Sequence, residues 1–158
     1  MTERIGLGGG CHWCTEAVFQ ALPGVERVEQ GFIRSTAPDD AWSEAVIVWF
    51  DPELVSVYSL MKAHVKTHAA TSEHAMREKY RSAAYVFDAR QDTQAREALA
   101  RLQPAFGNRL MTRVLPFAGF LASDERYRNY YAANPERPFC QRYIQPKLDR
   151  IATLESDC

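Results

Sequence analysis

The chain has 158 residues, enough for one domain with a sizeable core, and its 19 Lys+Arg nearly cancel 20 Asp+Glu. That balance argues against a nucleic-acid or membrane-surface role built on net positive charge, and no apolar run approaches the ~20 residues that cross a bilayer. Met1-Thr2-Glu3-Arg4 is followed by no long apolar core of a signal peptide, so the chain reads as cytoplasmic, where its four cysteines suit catalysis, redox exchange or metal binding before a disulfide framework.

Arg4 to Leu7 reads as a short strand that feeds Gly8-Gly9-Gly10 and then Cys11. Glycines allow a sharp turn and a close backbone approach. Cys11 to Leu22 reads as a helix, with Trp13, Ala17, Val18, Ala21 and Leu22 on one face, and Pro23-Gly24 stops it. Val25 to Ile33 is a strand whose alternation is blurred by Glu26, Glu29 and Gln30. Arg34 to Asp40 is a loop by composition. Trp42 to Phe50 is the strongest strand, nearly all apolar from Ala45 on, as suits a central strand covered on both faces. Ser56 caps a helix from Val57 to about Thr67, with His64 on its apolar side. Ala69 to Lys79 is polar and irregular.

Arg81 to Phe87 is a further strand. Asp88 with Gln91 makes a capping-box pattern for a helix to about Gln103, closed by Pro104 and Gly107-Asn108. Met111 to Phe117 is the last expected strand. Ser123 can cap a short helix through Tyr131. The tail from Glu136 is irregular, apart from a helical turn at Leu148 to Leu154. The order implies a single α/β or α+β domain over residues 1–158, with helices packed on a mixed, mainly antiparallel sheet.

Chemistry concentrates at Cys11-His12-Trp13-Cys14. A cysteine at a helix N-terminus faces free N–H groups and the positive end of the helix dipole, which favour thiolate over thiol. The C-x-x-C spacing suits redox exchange, and it also occurs in zinc sites, which need two more ligands nearby. Cys140 and Cys158 supply no second C-x-x-C, and the histidines at 64 and 68 read as one helix face. Glu44 precedes the apolar run of the central strand. Burial by Trp42, Trp49 or their neighbours would favour its protonated, proton-donating form. Glu16, one turn into the first helix, reads as a stabiliser of the helix N-terminus. Tyr127, Tyr130 and Tyr131 could orient a polar substrate oxygen near the cysteine-bearing tail, with packing the reading for at least two of the three, and Lys79-Tyr80-Arg81-Ser82 opens a strand with mixed polarity, its plain alternative an exposed strand start.

These segments together resemble one family. Gly8-Gly9-Gly10-Cys11-His12-Trp13-Cys14-Thr15-Glu16 resembles the Gly-Cys-Phe-Trp signature of the A-type peptide-methionine (S)-S-oxide reductases. In the same order follow Leu22-Pro23-Gly24-Val25 with Gly31-Phe32, then Ser43-Glu44-Ala45-Val46 with Phe50-Asp51-Pro52, then Tyr80-Arg81-Ser82-Ala83, and Asn134-Pro135 with Phe139-Cys140. The resemblance spans about residues 5 to 148. It implies the family's α/β plait with a long irregular C-terminal tail. It also implies reduction of methionine-S-sulfoxide, peptide-bound or free.

The resemblance makes Cys11 the nucleophile, Glu44 the acid, and Tyr80 a hydrogen-bond donor to the oxygen. His12, Trp13 and Phe32 become walls of the methyl pocket. Reduction leaves a sulfenic acid on Cys11, which a second thiol condenses to a disulfide. The expected partner thiol is Cys140, with Cys14 as second choice. Thioredoxin or a similar thiol reductant then restores the enzyme, with no metal or organic cofactor. The chain departs from the family at His12 in place of phenylalanine, Cys14 in place of glycine, and Trp42 in place of histidine. The 34–40 loop is short, and the segment 69–79 lacks the family's Asn-Arg-Gln-Gly-Asn-Asp run. The alternative is a non-reductase thiol module, sensing metal or redox state through Cys11, Cys14 and His12, for which Glu44 and Tyr80 have no use.

Overall fold

The computed structural model describes residues 2–9, 12–67, 81–123 and 144–149. Strand β1 (Glu3–Gly8) leads through the glycine turn into α1 (His12–Gln20), and β2 (Val25–Arg34) returns. Then come β3 (Ser43–Phe50), α2 (Val57–Lys66), β4 (Ala83–Val86), α3 (Ala89–Leu102), β5 (Arg113–Pro116) and β6 (Gly119–Ala122). They form one six-stranded sheet in the order β5-β4-β1-β3-β2-β6. All neighbours pair antiparallel except β4 and β5, which α3 joins as a parallel crossover. The mixed, mainly antiparallel plait expected from the sequence is the fold of the described residues.

One face of the sheet carries Ile5, Leu7, Val46, Val48, Phe50, Ala84 and Val86, packed under Val18 and Phe19 of α1, Leu60 and Met61 of α2, and Leu99 of α3. The opposite face carries Ile33, Ala45, Ile47, Tyr85 and Leu115, with Trp49, Phe117 and Phe120 against them. Burial on both faces explains the unbroken apolar run of β3. The blurred pattern of β2 has a local cause. A register shift between Val25 and Arg27 lets Val25 and Val28 both face the helices.

Helix starts follow their signals. Ser56 Oγ accepts from Ser59 N at 3.1 Å. Asp88 Oδ1 accepts from Gln91 N at 2.7 Å, while Gln91 Oε1 accepts from Phe87 N at 3.0 Å, one residue before the usual capping-box donor. Other readings need correction. α1 ends at Gln20 and Ala21 is exposed, while Phe19, absent from the expected face, is fully buried. Met111 is 40% exposed and lies ahead of β5, which is only Arg113–Pro116. Strand β6 was not expected. Its four residues are too few to show alternation, and pairing with β2 from Gly31 to Arg34 holds it in place. Ser123 donates its backbone N–H to Gln30 O at 2.9 Å, and the helix it was expected to cap lies outside the described residues. Residues 144–149 are helical, so helix is present ahead of the expected Leu148 start, with Ile144 fully buried, and the part of the expected turn beyond 149 lies outside the described residues. The rest of the expected tail lies outside the described residues.

The 34–40 loop is pinned to the far edge of the sheet. Arg113 Nη1 and Nη2 donate to the two carboxylate oxygens of Asp39 at 2.7 and 2.8 Å. These bonds hold the Asp39 carboxyl below its ordinary value. Its folded-state pKa is therefore lower than its unfolded one. The pair's contribution is full above about pH 5 and is lost as pH falls through the folded value. Arg113 is half exposed, so solvent screening keeps the effect small. The melting temperature of the parent should fall further between about pH 6 and about pH 3 than that of Asp39→Asn. Equal falls in the two proteins would rule the linkage out.

Candidate active site

Four chain segments meet at one end of the sheet. β1 ends there at Gly8, paired with Ala45 of β3 and Ala83 of β4. A Cβ on Gly8 would come 2.9 Å from the Glu44 carbonyl oxygen and 3.3 Å from that of Arg81, so glycine is what lets these three segments close. Gly9 turns the chain with φ of 153°, again a glycine conformation. α1 begins three residues later at His12, so the sequence position of Cys11 directly precedes the unsatisfied N–H groups of a helix N-terminus. Cys11 itself, with Tyr80, Cys140 and Cys158, lies outside the described residues, as do His68, His74 and the tyrosines 127, 130 and 131. His12 and Trp13 open α1, and Cys14 follows them as a buried thiol.

Glu44 is the second residue of β3 and is only 7% exposed. Strand alternation puts it on the face of Val46 and Val48, the face covered by the helices. Directly across on β2 stands Phe32, and across from that on β6 stands Leu121. Glu44 and Phe32, two of the expected site residues, are therefore cross-strand neighbours, with α1 packed over β2 and β3 above them. The two tryptophans expected to cover it do not. Trp49 lies on the opposite face, gripped between Arg4 and Arg27 with its Nε1–H on Glu29 at 2.7 Å. Trp42 is 40% exposed and stacks against Arg34. Burial of Glu44 comes from its place between strands and helix, which local sequence does not encode.

A polar network on the other face braces this end. Arg81 donates its backbone N–H to Ser43 Oγ at 2.8 Å, its Nε–H to Tyr85 Oη at 2.9 Å, and Nη2 to the Ala41 carbonyl at 3.2 Å. Ser43 precedes Glu44 and Arg81 follows Tyr80, so the network locks the backbones beside two expected site residues. Burial pushes the Tyr85 phenol above its ordinary value, outweighing the nearby Arg81 charge, so it stays a neutral partner. Arg81 and Ser82 are thus buried, and the expected exposed strand start is overturned there. The signal was present: Arg81, Ala83 and Tyr85 alternate onto one face of the strand.

Two more buried polar groups hold separate segments together. Glu16 lies one turn into α1, as expected, but faces the sheet instead of only steadying the helix start. It is 2% exposed, and Gln30 of β2 donates its Nε2–H to Glu16 Oε1 at 3.2 Å, tying α1 to the strand two residues before Phe32. His64 does not merely line a helix face. Its Nε2 lies 2.6 Å from the carbonyl oxygen of Gly8. Among the described residues, no three or more His, Cys, Asp or Glu side chains gather as a metal cluster, and no helix is long and apolar enough to cross a membrane.

Comparison with known proteins bears on this arrangement. The family profile described as peptide methionine sulfoxide reductase matches residues 3–157. Peptide methionine sulfoxide reductase MsrA of Deinococcus radiodurans is 33% identical, over 98% of this chain and 83% of that protein. The solved methionine sulfoxide reductase A of Corynebacterium diphtheriae superposes with a TM-score of 0.72 at 28% identity, covering 85% of this chain and 76% of that one. Mxr1 of Saccharomyces cerevisiae shares the fold. In reduced form it gives a TM-score of 0.77 at 19% identity, over 85% of this chain and 87% of that one. In complex with Trx2 it gives 0.66 at 18%, over 80% and 84%. With a family match along nearly its whole length and a buried glutamate on β3, one strand from the Gly8 end of β1, the chain belongs to the peptide methionine sulfoxide reductase family, oxidoreductases that reduce methionine sulfoxide with thiols.

Proposed function

We propose that the chain, as one domain over residues 1–158, reduces the S-epimer of methionine sulfoxide through Cys11. The thiolate attacks the sulfoxide sulfur while Glu44 delivers a proton to the oxygen, because an unprotonated oxide leaves poorly. Oxygen passes to Cys11 as a sulfenic acid, the substrate sulfur gains two electrons, and methionine departs. A second thiol then attacks the sulfenic sulfur, releasing water and closing a disulfide. Cys140 is the first choice for that thiol and Cys14 the second. Tyr80 holds the oxygen, and His12, Trp13 and Phe32 shape the methyl pocket. A dithiol reductant, thioredoxin or similar, reopens the disulfide by exchange. No metal or organic cofactor enters these steps.

The observation that carries this reading is the register of β2 against β3. It sets buried Glu44 beside Phe32, one strand from the Gly8 end of β1. A metal- or redox-sensing thiol module would have no use for a buried acid there. The solved complex of Mxr1 with Trx2 supports a thioredoxin-type reductant. The balanced charge of the chain fits the absence of nucleic acid and membrane from the scheme, and the setting proposed is the cytoplasm.

Turnover of separated sulfoxide epimers, free and peptide-bound, with dithiothreitol tests the substrate. Methionine should form from the S-epimer only, and equal rates on the two epimers would sink the assignment. Mass mapping after a single turnover without reductant should find Cys11 linked to Cys140. A Cys11–Cys14 link would transfer the resolving role to Cys14.

A further inference from the structure

His64 takes no part in the chemistry above, yet it is 2% exposed and reaches from α2 to the turn that precedes Cys11. Its Nε2 lies 2.6 Å from the Gly8 carbonyl oxygen. A carbonyl can only accept, so the proton is on Nε2. Gly8 is already held from two sides, by Ala45 and Ala83 of the flanking strands. The histidine bond adds a third hold, from the last turns of α2, on the final residue of β1. Beyond Gly8, the path to Cys11 is Gly9 and Gly10 alone. Glycine restricts a backbone little by itself, so a hold on Gly8 helps fix the direction in which the chain leaves β1.

The surroundings agree. A void of about 10 Å³ is lined by Gly9, Cys14, Thr15, His64, Thr67 and Lys147, so the glycine turn, the first turns of α1 and the end of α2 converge on this imidazole. Thr67 closes the end of α2 by donating to the Ala63 carbonyl at 2.5 Å, which steadies the turn that bears His64. Cys14 and Lys147 are the titratable groups that share the void with His64. Both the neutral Nε2–H form of the ring and the imidazolium can donate to Gly8.

We propose that His64 is a positioning residue: its Nε2–H bond to the Gly8 carbonyl holds the β1–α1 turn so that Cys11 meets the sulfoxide in line with Glu44. The inference rests on the assignment of Cys11 as nucleophile. Without the bond, the glycine turn samples more orientations, and the fraction of bound complexes in attack geometry falls. The loss then falls on kcat, because the pocket walls that set KM stay in place. Misplacement of a reacting group by about 1 Å costs up to ~10²-fold.

The test compares the parent, His64→Phe, His64→Gln and Cys11→Ser on free methionine-S-sulfoxide with dithiothreitol. His64→Phe keeps the ring and loses the donor, and kcat should drop by ~10- to 100-fold with KM little changed. His64→Gln loses the ring but can place its own Nε2–H at the same point, so it should stay close to the parent. A role in packing alone would rank these two variants the other way. Parent-like kcat in His64→Phe, or an equal loss in His64→Gln, overturns the inference while leaving an inactive Cys11→Ser, and the nucleophile assignment, intact. Turnover surviving in Cys11→Ser overturns both. Should His64→Phe fail to fold, nitrogen-15 spectra of the histidine rings in the parent still decide. A proton on His64 Nε2 supports the bond, and the Nδ1–H tautomer overturns it.

Discussion

Cys11→Ser is expected to reduce methionine sulfoxide no faster than the uncatalysed background. A serine hydroxyl ionises far above the thiol range and is a poor nucleophile toward sulfur, so the helix N-terminus that favours a thiolate cannot rescue it. Serine also has no sulfenic acid state, so the oxygen has no acceptor and the resolving thiol no electrophile. The substitution exchanges one small polar side chain for another, and the melting temperature should hardly move. Methionine release with dithiothreitol, followed by chromatography, measures the effect. Full activity in the serine variant would remove Cys11 from the mechanism and return the C-x-x-C to a sensing role.

Glu44→Gln should cost ~10²–10⁴-fold in turnover, the usual span for loss of a general acid. Glutamine matches glutamate in size and can still hydrogen-bond the sulfoxide oxygen, but it cannot give up a proton. Fold and substrate affinity should therefore survive while kcat falls. Glu44 lies among the buried residues of β3, so a neutral amide there imposes no new charge. The alkylation rate of Cys11 in the same variant serves as the control. A parent-like alkylation rate with slow turnover places the loss in proton delivery. A turnover within about threefold of the parent would mean that another group supplies the proton.

Two departures from the family pattern acquire a structural setting. The short 34–40 loop is not slack, because Arg113 grips Asp39 and Ser35 Oγ donates to the Pro116 carbonyl at 2.6 Å, binding the loop to β5. Cys14 replaces a glycine and is 4% exposed in α1, facing the same void as His64. A thiol there is screened from solvent reductant.

Local signals in the sequence decided a good deal. The apolar run from Ala45 to Phe50 marked β3, Ser56 and Asp88 marked two helix starts, and the glycines before Cys11 marked the strand-to-helix turn. Each depends on side chains within a few residues of one another, which is the range over which capping, periodicity and glycine freedom act. The family motifs were legible because each is a short run of residues and several occur in the family's order along the chain. Tertiary structure alone decided which polar residues are buried and what they hold. Glu16 meets Gln30, Arg81 meets Ser43 and Tyr85, Trp49 turns away from Glu44, and His64 reaches Gly8 from 56 residues away. These contacts arise from strand register and helix placement over long loops, where burial leaves each polar atom to be satisfied by whatever segment packs against it. No pattern within a window of the sequence carries that information.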